Sequence, residues 1–288
     1  MNNNTVSLSD VSIALLGAGY TLKRVADLLD KETLVLTCSS EANFLALQEE
    51  GYRVERLNTA SATEVSSFFE KYANLKTVVD SVPPQKEFPS CVPESLASLS
   101  NTLKRVIYLS TTGVYGTEDG SIVTEDAALS PQHDRAKLRV LVENSYRALT
   151  IPSCSFRIAA IYGPGRGIGH ALKSGRYPLI DAGSRWSNRI HVDDLVAAVA
   201  AAITHQGILP VAINLADDYP TLSSEIVDFY CKEFGFAPPT SLSLEEARLR
   251  GLDTMLSNQQ VSNSLLKKLL LPKLSYPSFR EGAQSEFS

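Results

Sequence analysis

Short apolar runs alternate with helical patterns through the first half of the chain. Five runs bounded by polar residues predict strands: "VSIALLG" (11–17), "TLVLTC" (33–38), "YRVERL" (52–57), "KTVVDSV" (76–82) and "RVIYLST" (105–111). The segments between some of them predict helices: "YTLKRVADLLD" (20–30), "EANFLALQEEG" (41–51) and "SATEVSSFFEKYA" (61–73). Alternation of buried strands with helices is typical of a parallel, doubly wound α/β sheet.

The segment "SPQHDRAKLRVLVEN" (130–144) predicts a further helix over about residues 131–149. Ser130 can cap this helix, and Pro131 suits its first position. His133 and Lys137 are four residues apart, so we expect their side chains to lie on the same face.

Beyond about residue 160 the elements become shorter and more mixed. A sixth strand is followed by a glycine-dense loop, a helix, another strand and a last clear helix: "SCSFRIA" (153–159), "IYGPGRGIGH" (161–170), "DDLVAAVAAAI" (193–203), "PVAINLA" (210–216) and "TLSSEIVDFYCKEFG" (221–235). We predict a sheet domain of residues 1–160 and a smaller C-terminal lobe of residues 161–288. The lobe is expected to interleave with the sheet as one continuous unit.

Composition narrows the range of functions. The chain has 288 residues, 44% hydrophobic and 20% charged, with a net charge of −5, which disfavours a nucleic-acid partner or a polybasic membrane anchor. The longest strongly apolar run, 195–203, is too short to cross a bilayer. The four cysteines are far apart in apolar contexts, which favours buried thiols in a reducing compartment. We expect a cytoplasmic protein.

A Gly17-x-Gly19 turn joins the first strand to the first helix. The first glycine permits a tight turn, and the second lets the backbone approach a pyrophosphate at the helix N-terminus. Leu22 stands where a third glycine is expected. The pattern favours a dinucleotide site; the alternative is a turn without a ligand.

The end of the second strand bears on which dinucleotide binds. NAD sites place a carboxylate there for the ribose hydroxyls, and NADP sites place a basic group for the 2′-phosphate. This chain has the uncharged residues 37–40, Thr-Cys-Ser-Ser, while Lys23 and Arg24 follow the glycine turn. NADP is therefore the favoured cofactor, with NAD as the alternative. Lys23 and Arg24 could equally form a solvated helix face.

Six motifs resemble a known family in their order along the chain. They are "GAGYTLKRVADLL" (17–29), "SVPP" (81–84), "LSTTGVYG" (109–116), "FRIAAIYGPGR" (156–166), "NRIHVDDL" (188–195) and "NLADDYP" (214–220). Together they resemble the atypical extended short-chain dehydrogenase/reductases of the NAD-dependent epimerase/dehydratase-like kind. The resemblance covers nearly the whole chain. It implies a Rossmann doubly wound parallel sheet of about seven strands with a smaller C-terminal substrate lobe.

The resemblance also implies a catalytic site with one exchange. Thr111 matches the Ser or Thr that ends the fifth strand, and Lys137 matches the lysine of the Tyr-x-x-x-Lys pair, which also binds the nicotinamide ribose. His133 stands in the place of the tyrosine. A lysine charge favours phenolate but disfavours imidazolium, so we expect Lys137 to lower the pKa of His133. Neutral imidazole is a poor acid, which puts the usual carbonyl reduction in doubt. The alternative for His133 is an ordinary surface histidine.

The resemblance places further cofactor contacts along the first half of the chain. They are Gly17, Gly19, Tyr20, Thr21 and Leu22 at the turn, Ser39 and Ser40 after the second strand, Asn58 near the adenine, and Ser81 and Val82 after the fourth strand. Arg157 and Tyr162 flank the sixth strand, with a structural role favoured for Arg157. The polar group of Arg189, His191, Asp193 and Asp194 lacks metal-ligand spacing, so no metal is expected. No G-x-S-x-G elbow occurs, which disfavours a serine hydrolase.

Two functions remain open. One is an NAD(P)-dependent oxidoreductase or epimerase acting on a small hydroxylated or sugar-nucleotide substrate. The other is a dinucleotide-binding sensor that has lost catalysis. A homodimer through an apolar face of Leu138, Leu141, Val142 and Tyr146 is possible, but the same face suits packing on the sheet.

Overall fold

Fifteen strands and eleven helices occur in the computed structural model, which describes residues 8–86 and 90–288. The strands are β1 (Ile13–Leu16), β2 (Leu34–Cys38), β3 (Val54–Arg56), β4 (Thr77–Asp80), β5 (Arg105–Thr111), β6 (Ile122–Val123), β7 (Ser153–Ile158), β8 (Ala160–Tyr162), β9 (Leu179–Ile180), β10 (Trp186–Ser187), β11 (Arg189–His191), β12 (Ala212–Leu215), β13 (Thr221–Leu222), β14 (Ser241–Leu242) and β15 (Gln260–Val261). The helices are α1 (Tyr20–Ala26), α2 (Glu41–Glu49), α3 (Ala62–Lys71), α4 (Val92–Ser95), α5 (Asp134–Arg147), α6 (Ile168–Lys173), α7 (Val192–Thr204), α8 (Ser223–Phe234), α9 (Leu244–Leu249), α10 (Ser264–Leu269) and α11 (Phe279–Gly282).

The central sheet is parallel and has seven strands in the order β12-β7-β5-β4-β1-β2-β3. All five strands predicted in the first half belong to it, and so do the predicted strands at 153–159 and 210–216. β1 pairs with β2 on one side and with β4 on the other, so the strand order reverses there. In open α/β sheets such a switch point forms the crevice where ligands bind. The predicted Rossmann fold class is confirmed.

The chain forms two compact units. The first contains the described residues up to Ser110, together with Leu138–Phe156 and Val196–Ala212. The second contains Thr111–Lys137, Arg157–Leu195 and Ile213–Ser288. Each unit therefore takes segments from both halves of the sequence. The assignment of 1–160 to a sheet domain and 161–288 to a lobe stays a prediction.

The core of the first unit includes two residues from the apolar face of α5. Val142 is 2% exposed and Tyr146 is 1% exposed, and both belong to the same cluster as the sheet residues Ala14, Val78 and Val106. Packing of this kind is the main source of folding free energy, at about 1.5–3 kcal/mol for each large apolar side chain. Val142 and Tyr146 are thus core residues. Leu141, 55% exposed, is the most accessible residue of the face predicted to dimerise.

The C-terminal segment is held within the second unit. Phe279 and Ala283 pack with Tyr162 and Tyr230 in an apolar cluster. The buried carboxylate of Asp194 accepts hydrogen bonds from the backbone N–H groups of residues 275 and 276 at 2.8 and 2.9 Å. Asp194 therefore anchors the tail.

The helix predicted from residue 131 begins three residues later. α5 starts at Asp134, and the ring of His133, not the hydroxyl of Ser130, caps it. The backbone of Ser130 instead donates to the carbonyl oxygen of Tyr115 at 3.2 Å. A Cβ on Gly116 would lie 1.8 Å from the Ser130 carbonyl oxygen, so this close approach requires glycine there. The prediction was wrong because a tertiary contact holds residues 130–132 outside the helix.

Within residues 8–86 and 90–288, no helix has the length and apolar character needed to cross a membrane.

Candidate functional site

Gly17 makes the tight turn after β1 in the first unit. Its φ of +82° favours glycine, and a Cβ there would lie 3.0 Å from Val82 Cγ2. The Gly17 N–H donates to Thr37 Oγ1 at 3.2 Å, and the Ala18 N–H donates to the Thr37 carbonyl oxygen at 2.7 Å. The turn is therefore fixed between the ends of β2 and β4.

Gly19 leaves open space at the start of α1. A Cβ on Gly19 would meet only the Gly17 carbonyl oxygen, at 4.0 Å, and Gly19 supplies no side-chain cap. The first amide groups of a helix lack intrahelical acceptors. An open, uncapped backbone beside a tight glycine turn fits the diphosphate of a dinucleotide. Leu22, in place of a third glycine, is fully buried, and Thr21 is 7% exposed.

Arg56 is a basic residue beside the end of β2, and the sequence analysis did not identify it. Arg56 ends β3, directly opposite Cys38 in the register. Its guanidinium donates to the Ser39 carbonyl oxygen at 3.4 Å and pairs with the Glu41 carboxylate at 2.6 Å. Because Arg56 lies in the third strand, only the parallel pairing of β2 and β3 could have indicated it.

The two basic residues that the sequence analysis favoured are engaged locally. Lys23 pairs with Asp27 at 2.7 Å and with Glu50 at 2.8 Å. The Arg24 guanidinium donates to the backbone carbonyl oxygen of Tyr20 at 2.7 Å and lies over its ring. These contacts favour the solvated-face alternative for Lys23.

The remaining predicted cofactor residues of the first unit lie in three turns. Ser40 uses its hydroxyl to cap α2 by accepting from the Asn43 N–H. Asn58 Oδ1 accepts from the Ala60 N–H at 3.1 Å, so it stabilises its own turn. Ser81 donates its N–H to the Leu16 carbonyl oxygen at 2.9 Å, which holds residues 81 and 82 beside the glycine turn.

Thr111 and His133 come together in the second unit. Thr111 Oγ1 accepts from the Gly113 N–H at 3.2 Å, which caps a short 3₁₀ turn after β5. His133 Nδ1 accepts from the Ala136 N–H at 3.3 Å. A neutral imidazole that accepts at Nδ1 carries its proton on Nε2. A Cβ on Gly113 would lie 3.6 Å from both His133 Nε2 and Thr111 Oγ1, so the two polar groups flank the same small space.

The pKa of His133 is lowered, as predicted, but chiefly for another reason. Burial of the half-buried ring is the main cause, opposed by the negative charge of Asp253. Arg135 lowers the pKa, and Lys137 adds a smaller contribution in the same direction. The imidazole is therefore neutral at neutral pH.

Lys137 lies one helical turn after His133. Its N–H donates to the His133 carbonyl oxygen at 3.0 Å. Its side chain is 57% exposed, and Nζ is 3.8 Å from the Asp134 carboxylate. A weak exposed ion pair leaves the ammonium able to exchange partners. Its role at the nicotinamide ribose stays a prediction.

Gln259, like Arg56, is a residue near the predicted site that the sequence analysis did not identify. Its Nε2 donates to the Thr112 carbonyl oxygen at 2.9 Å, beside the turn that carries Thr111. Gln259 is 1% exposed, and its Oε1 is a buried acceptor that has no hydrogen-bond partner among the residues that the structure describes. No short motif marks a lone glutamine near the end of a chain, so only the fold could reveal it.

Arg157 serves the interior of the second unit. The guanidinium, 2% exposed, donates to the Tyr115 hydroxyl at 3.1 Å and to the Glu125 carbonyl oxygen at 3.0 Å. The Tyr115 hydroxyl in turn donates to Asn214 Oδ1 at 2.6 Å. The structural role favoured for Arg157 fits this network.

The polar group around β11 is also structural. His191 Nε2 lies 2.8 Å from Ser285 Oγ, and its ring stacks on Tyr276. The Tyr162 hydroxyl donates to the Ser278 carbonyl oxygen at 3.1 Å. In the part of the chain that the structure describes, no group of three or more His, Cys, Asp and Glu side chains could hold a metal ion.

Comparisons with known proteins give independent information on the family and the fold. Residues 94–216 match the model of the NAD dependent epimerase/dehydratase family. The chain is also similar to 3-diazoavenalumate denitrifying reductase from a Streptomyces species, with 29% identity over 140 residues. That match covers 45% of this chain and 45% of the relative, so it spans less than half of the relative's length.

Two solved structures are similar along nearly the whole chain. A functionally unknown conserved protein from Silicibacter pomeroyi DSS has 26% identity and a TM-score of 0.78, over 95% of this chain and 97% of that one. The UDP-glucuronic acid 4-epimerase from Bacillus cereus, in complex with NAD, has 18% identity and a TM-score of 0.73, over 96% of this chain and 97% of that one. The second likeness shows the fold alone. The family match over residues 94–216 and these similar structures support the resemblance of the ordered motifs to the NAD-dependent epimerase/dehydratase-like branch of the extended short-chain dehydrogenase/reductases.

Proposed function

We propose that this protein is an NAD(P)-dependent oxidoreductase or epimerase acting on a small hydroxylated or sugar-nucleotide substrate. The observation that carries the proposal is that Thr111 Oγ1 and His133 Nε2 flank one small space beside Gly113. The similarity to a Streptomyces reductase supports oxidoreductase chemistry. Cytoplasmic action fits the four cysteines, none of which forms a disulfide bond in the part of the chain that the structure describes.

Each part of the site has a role in this proposal. The backbone at Gly17 and Gly19 binds the diphosphate, and Lys137 binds the nicotinamide ribose. A bound nicotinamide supplies or accepts a hydride. The Thr111 hydroxyl and the His133 Nε2–H group donate hydrogen bonds to the substrate oxygen, where they stabilise the negative charge that develops during the reaction.

The state of His133 limits the chemistry that the site can perform. A neutral imidazole is a good hydrogen-bond donor at Nε2 but a poor acid toward an alkoxide. Protonation of Nδ1 would also break its hydrogen bond with the Ala136 N–H. His133 is therefore suited to polarise a carbonyl, while water delivers any proton that the product needs.

The hydrogen bond between His133 Nδ1 and the Ala136 N–H favours a second candidate function. If His133 serves only to cap α5, the protein binds the dinucleotide without using it and acts as a redox-state sensor. Both functions require the glycine turn. They differ in whether the cofactor is consumed.

We further propose that NADP is preferred over NAD. The support is the lack of a carboxylate among residues 37–40 and the position of Arg56, 3.4 Å from the Ser39 carbonyl oxygen. A 2′-phosphate bound there could take Arg56 as its partner in place of Glu41.

Titration of the purified protein with NADPH and NADH, followed by nicotinamide fluorescence, tests the proposal. We expect saturable binding of both, tighter for NADPH, and loss of binding in Gly19→Val because the side chain blocks approach to the backbone. The open space at Gly19 should let this variant fold, which circular dichroism checks. Unchanged binding in the variant would contradict the assigned site. Absorbance at 340 nm with carbonyl substrates then separates an enzyme from a sensor.

A further inference from the structure

A buried carboxyl group lies next to the glycine turn in the first unit. Asp80 ends β4 and is paired in the register with Leu16, the residue before Gly17. It is 1% exposed, and the next residue, Ser81, donates its N–H to the Leu16 carbonyl oxygen at 2.9 Å. Asp80 therefore adjoins two segments of the proposed diphosphate site. It is paired with the residue before Gly17, and it directly precedes residues 81 and 82.

The hydrogen-bond donors to Asp80 carry no charge. Oδ1 accepts from the Val82 N–H at 2.9 Å, and Oδ2 accepts from the Tyr146 hydroxyl at 2.7 Å. The nearby Arg139 guanidinium donates elsewhere, to the Tyr108 hydroxyl at 3.1 Å and to the Leu109 carbonyl oxygen at 2.6 Å. Among the described residues, no cationic side chain is hydrogen-bonded to the Asp80 carboxylate, which makes its ionised form costly in the interior.

Burial and the neighbouring groups change the pKa of Asp80 in opposite directions. Burial raises the pKa of Asp80, while the hydrogen bonds from Tyr146 and Val82 and the charge of Arg139 lower it. Burial is the largest of these effects. The other titratable groups facing this region are Tyr108 on β5, Glu143 on α5, whose carboxylate accepts from the Ser110 hydroxyl at 2.5 Å, and Glu94 on α4, which acts on Tyr146.

We propose that binding of a dinucleotide diphosphate to the Gly17–Gly19 turn is coupled to protonation of Asp80. The inference rests on the proposed dinucleotide site. Two negative phosphate charges placed beside the turn repel the ionised carboxylate, so the complex takes up one proton from solvent at Oδ2. Oδ1 still accepts from the Val82 N–H in the neutral form, and the protonated Oδ2 keeps a lone pair that accepts, more weakly, from the Tyr146 hydroxyl. The turn at residues 81 and 82 therefore keeps its geometry in both states.

The coupling makes dinucleotide affinity depend on pH. Because binding favours the protonated form, the affinity falls as pH rises across the range in which Asp80 ionises. Uptake of one full proton corresponds to a change of about tenfold in Kd per pH unit. Neutralising Asp80 should abolish this dependence.

Isothermal titration calorimetry with NADH as the probe tests the inference. NADH is chosen because its diphosphate does not titrate near neutral pH, whereas the 2′-phosphate of NADPH does. At each pH from 5 to 9, titrations in a pair of buffers of different ionisation enthalpy measure the number of protons taken up. For the wild type we expect net proton uptake and a Kd that rises with pH.

Three variants separate the coupling from a structural effect. Asp80→Asn keeps an acceptor for the Val82 N–H without a charge, and it should bind NADH with no proton uptake and a flat pH profile. Tyr146→Phe removes a donor to the carboxylate, so the uptake should move to higher pH. Glu143→Gln, a matched change at another buried carboxylate of the same unit, should leave the uptake as in the wild type.

The outcomes are distinct. Wild-type binding without proton uptake, or uptake that persists in Asp80→Asn, would overturn the inference while leaving the dinucleotide site intact. Failure of the folded wild type to bind either NADH or NADPH would overturn the proposed function, and the coupling with it.

Discussion

At position 133 the two ring nitrogens of one side chain face different groups. Its Nδ1 closes the first turn of α5, and its Nε2 faces the same small space as the Thr111 hydroxyl. The first task fixes the tautomer, so the second must be hydrogen-bond donation while the ring is neutral. In the proposed function, helix capping and the hydrogen bond to the substrate therefore depend on the same ring.

Restoring the family's tyrosine should change the reaction that the site can perform. We expect His133→Tyr to create or raise NADPH-dependent reduction of generic carbonyls at neutral pH, since Lys137 favours phenolate and Thr111 already supplies a hydroxyl. The lost cap should also lower stability by about 0.5–2 kcal/mol. Steady-state absorbance at 340 nm and thermal denaturation measure the two effects.

His133→Asn is the matched control because asparagine can cap a helix but has no imidazole. It should retain stability and cofactor binding without gaining reductase activity. His133→Ala should likewise bind the cofactor nearly as well as the wild type. If the native protein turns over a substrate and His133→Tyr destroys that turnover, imidazole is the working group and the sensor function is wrong.

The proposed preference for NADP also rests on single residues. Arg56→Ala should weaken NADPH binding by about tenfold, or about 1.4 kcal/mol, and leave NADH binding nearly unchanged, because only NADPH has a 2′-phosphate. Lys23→Ala, which removes a residue already paired with Asp27 and Glu50, should affect neither. Fluorescence titration with both cofactors gives the four dissociation constants, and the reverse ranking of the two variants would restore the assignment to Lys23.

On the scale of the elements, the N-terminus of α6 is stabilised by a residue 116 positions away along the chain. Its N-cap is Gly167, which has no side chain to offer. Glu286 supplies the missing acceptor: its carboxylate accepts from the His170 N–H at 2.9 Å and from the Tyr230 hydroxyl at 2.5 Å. A Cβ on Gly167 would lie 2.4 Å from that carboxylate, so glycine makes room for it. The last residues of the chain therefore hold the glycine-rich loop before α6.

Removing this carboxylate should loosen that loop. We expect Glu286→Ala to lower the free energy of unfolding by about 1–3 kcal/mol, because two donors lose a buried acceptor. Limited proteolysis should cut the variant faster within residues 163–170. Glu233→Ala, on the exposed face of α8, should change stability by less than about 0.5 kcal/mol. Equal proteolysis of both variants would mean that Glu286 does not hold the loop.

On the scale of the whole molecule, buried acids contribute to how stability responds to pH. Burial raises the pKa of Asp80, of Glu286, and of Asp217, the last to about 8. For a carboxyl group whose folded-state pKa is raised, the unfolded chain ionises first. Stability from such a group is complete below about pH 4 and is lost as pH rises through the folded value. These three groups therefore make the fold less stable toward alkaline pH.

Asp217 gives the clearest test of this behaviour. Asp217→Asn keeps the acceptor for the Tyr219 N–H and removes the charge, so it should stabilise the protein more at pH 8 than at pH 5. We expect a difference of about 1–3 kcal/mol in the free energy of unfolding. Urea denaturation at the two pH values measures it. Asp228→Asn, an exposed change on α8, should show no such difference, and a flat response in Asp217→Asn would contradict the role of burial.

The sequence by itself determined the features that depend on local pattern. Continuous apolar runs gave the strands, because a strand buried on both faces has little room for polar residues. The Gly17-x-Gly19 turn was visible because a positive φ and a close backbone approach both require glycine. The order of motifs indicated the family, and with it the positions of Thr111, His133 and Lys137.

Only the tertiary structure decided which side chains meet. Arg56 reaches the end of β2 because β3 pairs beside it, a relation that no spacing between the two segments encodes. Gln259 touches Thr112 across 147 residues of chain. His133 became a helix cap, and α5 began late, because residues 130–132 pack against Tyr115 and Gly116. Contacts of this kind depend on chain topology, since burial and hydrogen bonding between distant segments arise only once the fold has brought them together.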